Sequence, residues 1–253
     1  MPLHELPAYP RPSSRLAVVA APPMCSSCSL KGLCLPAGLE AGAMKRLGEL
    51  ISCRRRIRRG DSLFTAGAPF RSIYAIRSGS LKSCVYSEDG QEQITGFPMA
   101  GELVGLDGIA HGQHVINAVA LEDTEVCVIG FSMLEEIAGQ VPQLQRQLHR
   151  LMSREIVGDR QFMMVLGTMR ADQRVAAFLL NLSRRFESRG YSAAEFHLRM
   201  TRREIGNYLG IELETVSRTL SRLDDAGCIA VDAKLVRILD RSALVGLLAE
   251  PAR

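Results

Sequence analysis

The segment that begins at Thr201 constrains the fold of this chain more strongly than any other part of the sequence. Thr201-Arg-Arg-Glu204 matches a capping box, in which the threonine hydroxyl accepts a hydrogen bond from the amide of residue 204 and the glutamate reaches back. A short helix should follow, Gly210 allows a sharp turn, and a second helix over about 212–226 should end at Gly227. Two short helices joined by a tight turn that contains glycine are typical of a helix-turn-helix.

The second of these helices has a polar face suited to reading DNA. Glu214, Ser217 and Arg218 are spaced i, i+3 and i+4, so they share one face near the helix N-terminus, the half that enters the major groove in this motif. Arginine can bind guanine, glutamate can accept from a cytosine amine, and serine suits either partner. Arg202 and Arg203, at the start of the first helix, are candidate phosphate ligands. The alternative is a solvated face with an i, i+4 ion pair.

The surrounding sequence supports the DNA-binding interpretation. Strand-like runs at 229–231 and 235–238 predict a β-hairpin wing beside the two helices. Between residues 146 and 203 there are twelve arginines, no lysine and five acidic residues, which gives this segment a charge of +7 against +4 for the whole chain. A basic region beside a helix-turn-helix is suited to phosphate contacts.

The N-terminal half of the chain has a different pattern. Short runs rich in strand-forming residues, at 72–77, 81–86 and 125–129, are separated by glycines and predict a β-sandwich or barrel. After Pro142, apolar residues keep helical spacing as far as Leu166, and such a long helix often packs against its own copy. The predicted domains are a flexible tail (1–24), a cysteine segment with a β-domain (25–140), a long helix that could pair with its own copy (141–170) and a winged helix-turn-helix domain (171–253).

One stripe of the long helix is predicted to form the dimer seam: Leu148, Met152, Asp159 and Leu166. In a symmetric dimer, Asp159 would meet its own copy near the two-fold axis. Like charges in a poorly solvated seam repel each other, so the dimer would be marginal without a second stabilising factor. The alternative places Asp159 at a solvated outer position.

Three cysteines form a compact cluster with the spacing C-x2-C-x5-C: Cys25, Cys28 and Cys34. Thiolates so close in sequence can wrap one soft metal centre, either zinc or an iron–sulfur cluster. The remaining alternatives are a chance cluster or a thiol switch. A four-thiolate site needs one further ligand, and the spacing does not choose among the four other cysteines: Cys53, Cys84, Cys127 and Cys228.

Several motifs together resemble the FNR-type oxygen-sensing regulators of the CRP/FNR superfamily. Besides the cysteine cluster they are Ser72-Ile-Tyr-Ala-Ile-Arg-Ser-Gly79, Gln93-Ile-Thr-Gly-Phe97, Gly206-Asn-Tyr-Leu-Gly210 and Glu214-Thr-Val-Ser-Arg218. The resemblance covers about residues 24–248. It implies an α+β chain: an N-terminal β-barrel sensor domain (cupin-like, cyclic-nucleotide-binding type), a long dimerisation helix and a C-terminal winged helix-turn-helix.

The resemblance also implies a cofactor and partners. It assigns Cys25, Cys28, Cys34 and Cys127 as ligands of a [4Fe–4S] cluster, and it makes the other cysteines non-ligands. The implied target is a TTGAT-N4-ATCAA palindrome of double-stranded DNA, bound by a homodimer when the cluster is present and released when oxygen disrupts it. Glu214, Ser217 and Arg218 match the family's reading residues. The loop around Glu88, Asp89 and Gly90 matches a surface that contacts RNA polymerase.

One departure separates this chain from the cyclic-nucleotide branch of that superfamily. Glu102 could match the glutamate of that branch, but its Arg-Ser pair falls near His114 and Val115. No arginine occurs between Arg77 and Arg146, and a buried phosphate without a cation is costly. We therefore expect no cyclic nucleotide. The alternative functions are a zinc-stabilised or a cyclic-nucleotide-responsive regulator of the same fold, without oxygen sensing.

Other expectations concern location and activity. The longest uncharged apolar stretch near the N-terminus, 16–23, is far shorter than the roughly 20 residues of a membrane span, so no membrane association and a cytoplasmic location are expected. No enzymatic motif is present in the sequence, and we expect no enzyme. His111 and His114 should be surface residues, and 54–56, three consecutive arginines, should be a solvated strand end.

Overall fold

The computed structural model describes residues 17–19 and 25–249, without the side chains of 17–19 and Ser52, and the chain divides into two compact units after Ser153. The elements of the first unit alternate short strands with peripheral helices. They are β1 (Ala17–Val19), α1 (Ala41–Leu50), β2 (Ile51–Ile57), β3 (Ser62–Phe64), β4 (Ser72–Ser78), β5 (Leu81–Tyr86), β6 (Glu92–Gly96), β7 (Leu103–Val104), β8 (Asn117–Ala120), β9 (Thr124–Gly130) and α2 (Phe131–Gln140), followed by α3 (Pro142–Thr168), which contains the division.

The strands of the first unit form two antiparallel sheets, ordered β1-β2-β9-β4-β7 and β3-β8-β5-β6. The predicted β-barrel is therefore a jelly-roll-like arrangement of two sheets and not a closed barrel. The difference has a simple cause. Most strands are short, and the two sheets close over apolar side chains without a continuous hydrogen-bonded circuit.

The five-stranded sheet is covered on both faces. Successive residues of β4 alternate between two cores: Tyr74 and Ile76 belong to the core between the sheets, whereas Ile73 and Ala75 belong to a second core that includes residues of α1, α2 and the start of α3. Cys127 of β9 packs on the second, outer core. This alternation decides which side chains of β2, β4 and β9 face the cysteine cluster.

The predicted tail (1–24) contains one element that the sequence analysis did not predict. Residues 17–19 form β1, which pairs antiparallel with β2 through the register Ala17↔Arg56. The other residues of that range lie outside the described part of the chain. A three-residue strand within a proline-rich segment gives too little periodicity to predict, because its pairing partner lies far away in sequence.

The second unit contains the C-terminal part of α3 and the predicted winged helix-turn-helix. Its elements are α4 (Ala171–Glu187), β10 (Glu195–His197), α5 (Arg202–Leu209), α6 (Leu213–Asp225), β11 (Ile229–Asp232), β12 (Leu235–Ile238) and α7 (Arg241–Ala249). The wing is a three-stranded sheet ordered β10-β12-β11, so β10 adds an edge strand that was not predicted.

The predicted capping box begins α5. The amide of Glu204 donates to the Thr201 hydroxyl at 3.2 Å, and the Glu204 carboxylate accepts from the Thr201 amide at 2.8 Å. Gly210 ends the helix with φ of 63°, the left-handed conformation that favours glycine. A side chain at Gly206 would place its Cβ 2.5 Å from the Ile211 carbonyl oxygen, so the tight turn between α5 and α6 requires a glycine there as well.

Candidate metal centre and nucleic-acid interface

The cysteine cluster lies on consecutive turns that precede α1. The segment begins with a 3-10 helix over Cys25–Ser27, and the Cys34 amide donates to the Leu30 carbonyl at 3.0 Å. Leu35 is completely buried in the outer core of the first unit, and Leu30 is 8% exposed, so buried leucines anchor the turns. Cys25, Cys28 and Cys34 therefore belong to a folded segment.

Four cysteines line one pocket: Cys25, Cys28, Cys34 and Cys127. The first three come from the turns, and Cys127 comes from the middle of β9, far away in sequence. Within the described residues, no three His, Cys, Asp or Glu side chains already form a group that could hold a metal ion. The pocket thus gathers four thiols, but it is not a preassembled single-ion site.

The thiols of this pocket are partly desolvated. Burial is the main cause that raises the pKa of Cys34 to about 12 and the pKa of Cys127 to about 11, and the neighbouring cysteines contribute in the same direction. Burial also raises the pKa of Cys25. Without a metal these three thiols are protonated at neutral pH, and thiolate ligation would release their protons.

The remaining cysteines lie elsewhere. Cys84 is completely buried in β5, Cys53 packs on the core between the sheets, and Cys228 is 9% exposed beside the wing. None of the three lines the pocket that contains the other four. The sequence left four candidates for the fourth ligand, and the fold brings only Cys127 to this pocket.

The segment that would correspond to a nucleotide-phosphate site contains a buried histidine. His114 is 2% exposed, so the expectation that it lies at the surface was wrong, whereas His111 is exposed. The ring stacks on Phe64 with centroids 3.8 Å apart, and its Nδ1 lies 3.3 Å from an Asp107 carboxylate oxygen. The amide of Val115 donates to the same carboxylate at 2.8 Å. The contacts of Asp107 with His114 and with the Val115 amide therefore fix the conformation of this segment.

Helix α6 carries the three residues that the sequence analysis assigns to DNA reading. Glu214 and Arg218 are exposed on α6 and Ser217 is half-buried, whereas Val216 and Leu220 face the core. An Arg218 guanidinium nitrogen lies 3.4 Å from the Thr215 hydroxyl. At the start of α5, Arg203 is exposed and Arg202 is half-buried. The geometry leaves Glu214, Arg218 and Arg203 accessible to a macromolecular partner.

The predicted dimer seam needs one correction. Leu148 is 7% exposed and packs in the outer core of the first unit, so it is unavailable to a second copy. Helical spacing places it on a stripe with Met152, Asp159 and Leu166 but does not show which part of the stripe the chain itself covers. Met152 and Leu166 are half-buried, and Asp159 is exposed. Four exposed apolar residues outside the predicted seam lie on the same helix: Ile156, Val157, Met163 and Met164.

The predicted polymerase-contact loop is a tight turn between β5 and β6. Glu88, Asp89 and Gly90 are all exposed. The Gly90 amide donates to the Ser87 carbonyl at 2.9 Å, and Gly90 has φ of 75°. Two acidic side chains therefore project from a structured hairpin turn.

Comparison with known proteins identifies the family. A Crp-like helix-turn-helix domain model matches residues 173–247, and a cyclic nucleotide-binding domain model matches residues 54–140. The chain is 48% identical over 226 residues to the transcriptional regulatory protein btr of Bordetella pertussis, covering 89% of this chain and 93% of that protein. It is 49% identical over 223 residues to the transcriptional activator protein anr of Pseudomonas aeruginosa, covering 88% and 91%. The chain belongs to the CRP/FNR family.

Within the CRP/FNR family the chain is of the FNR type. It is 46% identical over 223 residues to the fumarate and nitrate reduction regulatory protein of Escherichia coli, covering 88% of this chain and 89% of that protein. Among solved structures it is similar to FixK2 from Bradyrhizobium japonicum, with a TM-score of 0.72, 33% identity and coverage of 79% and 98%. These relatives and the fold identify a DNA-binding transcription regulator and not an enzyme. No helix among residues 25–249 is long and apolar enough to cross a membrane.

Proposed function

We propose that this CRP/FNR-family chain is an oxygen-responsive regulator that binds a [4Fe–4S] cluster through Cys25, Cys28, Cys34 and Cys127. It would act in the cytoplasm as a homodimer on a TTGAT-N4-ATCAA palindrome and contact RNA polymerase through residues 88–90. The observation that carries this proposal is that four cysteines from two distant parts of the chain line one pocket.

The donor set fits such a cofactor. Four thiols match the four-cysteine ligation of an iron–sulfur cluster, and the mostly apolar surroundings include Leu35, Leu47 and Ile129. When bound, the cluster would supply the reactivity toward oxygen. The chain holds the ligand turns with buried leucines and limits solvent access to the thiols.

A direct contact connects the cysteine segment to the dimerisation helix. The side-chain amide of Gln147, 5% exposed on α3, lies 3.5 Å from the Cys34 carbonyl oxygen. Leu144 and Leu148 of the same helix belong to the core against which Cys25, Cys34 and Cys127 pack. A change in the conformation of the ligand turns would therefore alter the packing at the start of α3, which supports control of dimerisation by the pocket.

The DNA-reading step follows from the exposed face of α6. Arg218 would bind guanine, Glu214 a cytosine amine, and Ser217 either partner, while Arg202 and Arg203 would contact phosphates. Dimerisation would place two recognition helices about one DNA turn apart, which suits a palindrome.

We also propose that no cyclic nucleotide binds, although the sensor domain matches the corresponding domain model. The positions that would hold ribose phosphate carry His114 and Val115, and both are already engaged by Asp107. Binding of a phosphate would require breaking this network without a cation to replace it.

The test is a measurement of iron, sulfide and DNA binding on protein purified without oxygen, repeated after exposure to air. We expect about four irons per chain, as a [4Fe–4S] cluster requires, and loss of iron and palindrome binding in air. A colourless, zinc-containing protein that binds the palindrome equally in air would contradict the sensor proposal and favour the zinc-stabilised alternative. Tight binding of a cyclic nucleotide by iron-free protein would favour the other alternative.

A further inference from the structure

A group of charged side chains lies on the same face of the sheet as Cys127. The register pairs Cys127 of β9 with Arg54 of β2 and with Ala75 of β4. Residues paired across neighbouring strands point to the same face, and so do residues two apart on one strand. Glu125, two positions from Cys127, therefore shares the face that carries the cysteine pocket. Arg77 lies at an irregularity in the β4–β9 register, between Ile76 and Ser78, and it lines the same pocket.

One carboxylate is shared by three guanidinium groups. Glu125 lies 3.3 Å from Arg77, 3.4 Å from Arg56 and 3.8 Å from Arg54, and its side chain is only 14% exposed. Three positive charges around a single negative one leave two positive charges uncompensated. A half-buried excess of this kind is electrostatically costly unless an anion lies nearby.

The three arginines differ in their relation to the pocket. Arg77 lines it together with the four cysteines. Arg54 has a side chain that is 15% exposed, and its Nε is buried without a hydrogen-bond partner in the described residues. Arg56 is 67% exposed and reaches Glu125 from solvent, so water screens its charge. We call Arg54, Arg77 and Glu125 the charge cluster.

We propose that the charge cluster is the counter-charge of the four-cysteine centre. Arg77 is the principal cation that lines the pocket. Glu125 partly neutralises Arg77 and so lowers the positive potential at the cysteines. This inference rests on the proposed function, because a cluster held by four thiolates is an anion whose stability and potential depend on nearby charge. These side chains are positioning residues, since none of them is a ligand.

Arg77, which lines the pocket, is close enough to the cysteines to act on their thiols. Burial is the main cause that raises the pKa of Cys127, followed by Cys25, whereas Arg77 and Arg54 both act to lower it. For Cys25, burial and Cys28 raise the pKa, and Arg77 again lowers it. The same guanidinium thus acts on ligands from both segments of the pocket.

The test compares substitutions that change the charge beside Cys127 in opposite directions, in the cluster-free full-length protein. The probe is the rate at which iodoacetamide alkylates Cys127 at one fixed alkaline pH, followed by mass spectrometry. Arg77→Gln should slow the reaction roughly threefold to tenfold, and Glu125→Gln should accelerate it by a similar factor, because the two substitutions change the charge in opposite directions. Arg77→Lys should retain most of the wild-type rate, and Arg56→Gln should change it less than twofold.

The opposite signs separate electrostatics from structural damage. Both Arg77→Gln and Glu125→Gln break the same ion pair, so a merely structural role would move the two rates in the same direction, and that result would overturn the inference. On protein loaded without oxygen, Arg77→Gln should also lose iron and sulfide about tenfold faster during desalting, whereas Arg77→Lys should not. Unchanged retention in Arg77→Gln would also count against the inference, whereas a wild-type protein that never takes up iron would instead contradict the proposed function.

Discussion

Phe162 of α3 stacks on Tyr208 of α5, with ring centroids 4.1 Å apart and an angle of 7° between the ring planes. This contact joins the C-terminal part of α3 to the first helix of the helix-turn-helix. Arg174 of α4 strengthens the connection, because its guanidinium donates to the carbonyls of Leu166 at 2.6 Å and Leu209 at 2.9 Å. The helix-turn-helix thus packs against the C-terminal end of α3, the helix that is proposed to form the dimer.

Phe162→Ala should loosen this connection. Loss of the stacked pair should lower the free energy of unfolding by about 0.5–1.5 kcal/mol, because aromatic pairs contribute beyond their buried area. Palindrome affinity should fall while the dimer dissociation constant changes little. Thermal unfolding, sedimentation and DNA titration measure the three quantities, and Phe162→Tyr, which keeps the ring, serves as the control. Equal losses in both variants would argue against stacking as the cause.

Asp159→Asn should promote dimerisation in air. Asp159 lies between the exposed apolar residues Ile156 and Met163, so a second copy would bring two carboxylates together in an apolar seam. Asp159→Asn removes the charge with little change of shape, and Asp159→Glu keeps the charge. Sedimentation of aerobic samples should show a dimer for the first variant and a monomer for the second. Monomeric Asp159→Asn would exclude like-charge repulsion as the barrier.

The carboxyl group of Asp159 should also make dimerisation depend on pH. Partial burial raises the pKa of Asp159, so it takes up a proton at a higher pH than an ordinary aspartate does. Protonation removes the like charge, so wild-type dimerisation should strengthen as the pH falls toward this pKa and weaken as the pH rises. Asp159→Asn should lack this dependence, which sedimentation across a pH series would detect. A parallel response of both proteins would assign the effect to other groups.

Cys28→Ser and Cys53→Ser should differ in their iron content and in palindrome binding. Cys28 lines the four-cysteine pocket, whereas Cys53 packs on the core between the sheets. We expect Cys28→Ser to lose iron, sulfide and palindrome binding, and Cys53→Ser to keep all three under oxygen-free conditions. Iron and sulfide assays with DNA titration make the comparison. Full iron content in Cys28→Ser would refute its role as a ligand.

Arg218→Ala and Arg203→Ala should separate base reading from phosphate contact. Arg218→Ala should weaken palindrome binding by about 1–3 kcal/mol with little effect on random DNA. Arg203→Ala should weaken binding to both DNAs similarly and reduce the salt dependence by about one counterion. Titrations at several salt concentrations distinguish the two patterns. A sequence-independent loss in Arg218→Ala would assign it to the phosphates instead.

Local signals made the DNA-binding domain predictable. Thr201, Glu204 and Gly210 act within a few residues of one another, and the structure contains the capping box and turn that they predict. β10 was missed because a three-residue strand depends on β12 for its existence. Leu148 and His114 were misplaced because periodicity and turn composition do not show which side chains the rest of the fold covers.

The candidate metal centre was predictable only in part. The spacing of Cys25, Cys28 and Cys34 indicates a soft metal site, but only strand register brings Cys127 to the same pocket. The charge cluster could not be found from sequence for the same reason. Its members lie on three strands, and the run 54–56, expected to be solvated, splits into the inward Arg54 and the exposed Arg56.

The placement of Cys34 and Cys127 has a mechanical consequence. Cys34 precedes α1 and Cys127 lies in β9, so the chain between them includes most strands of the two sheets. Any group that bonds both would close that length of chain into a ring and reduce the number of conformations open to it before folding, as a long-range disulfide does. Removal of such a group would reopen the ring, and the turns that hold Cys25 and Cys28 would then depend on their leucine anchors alone.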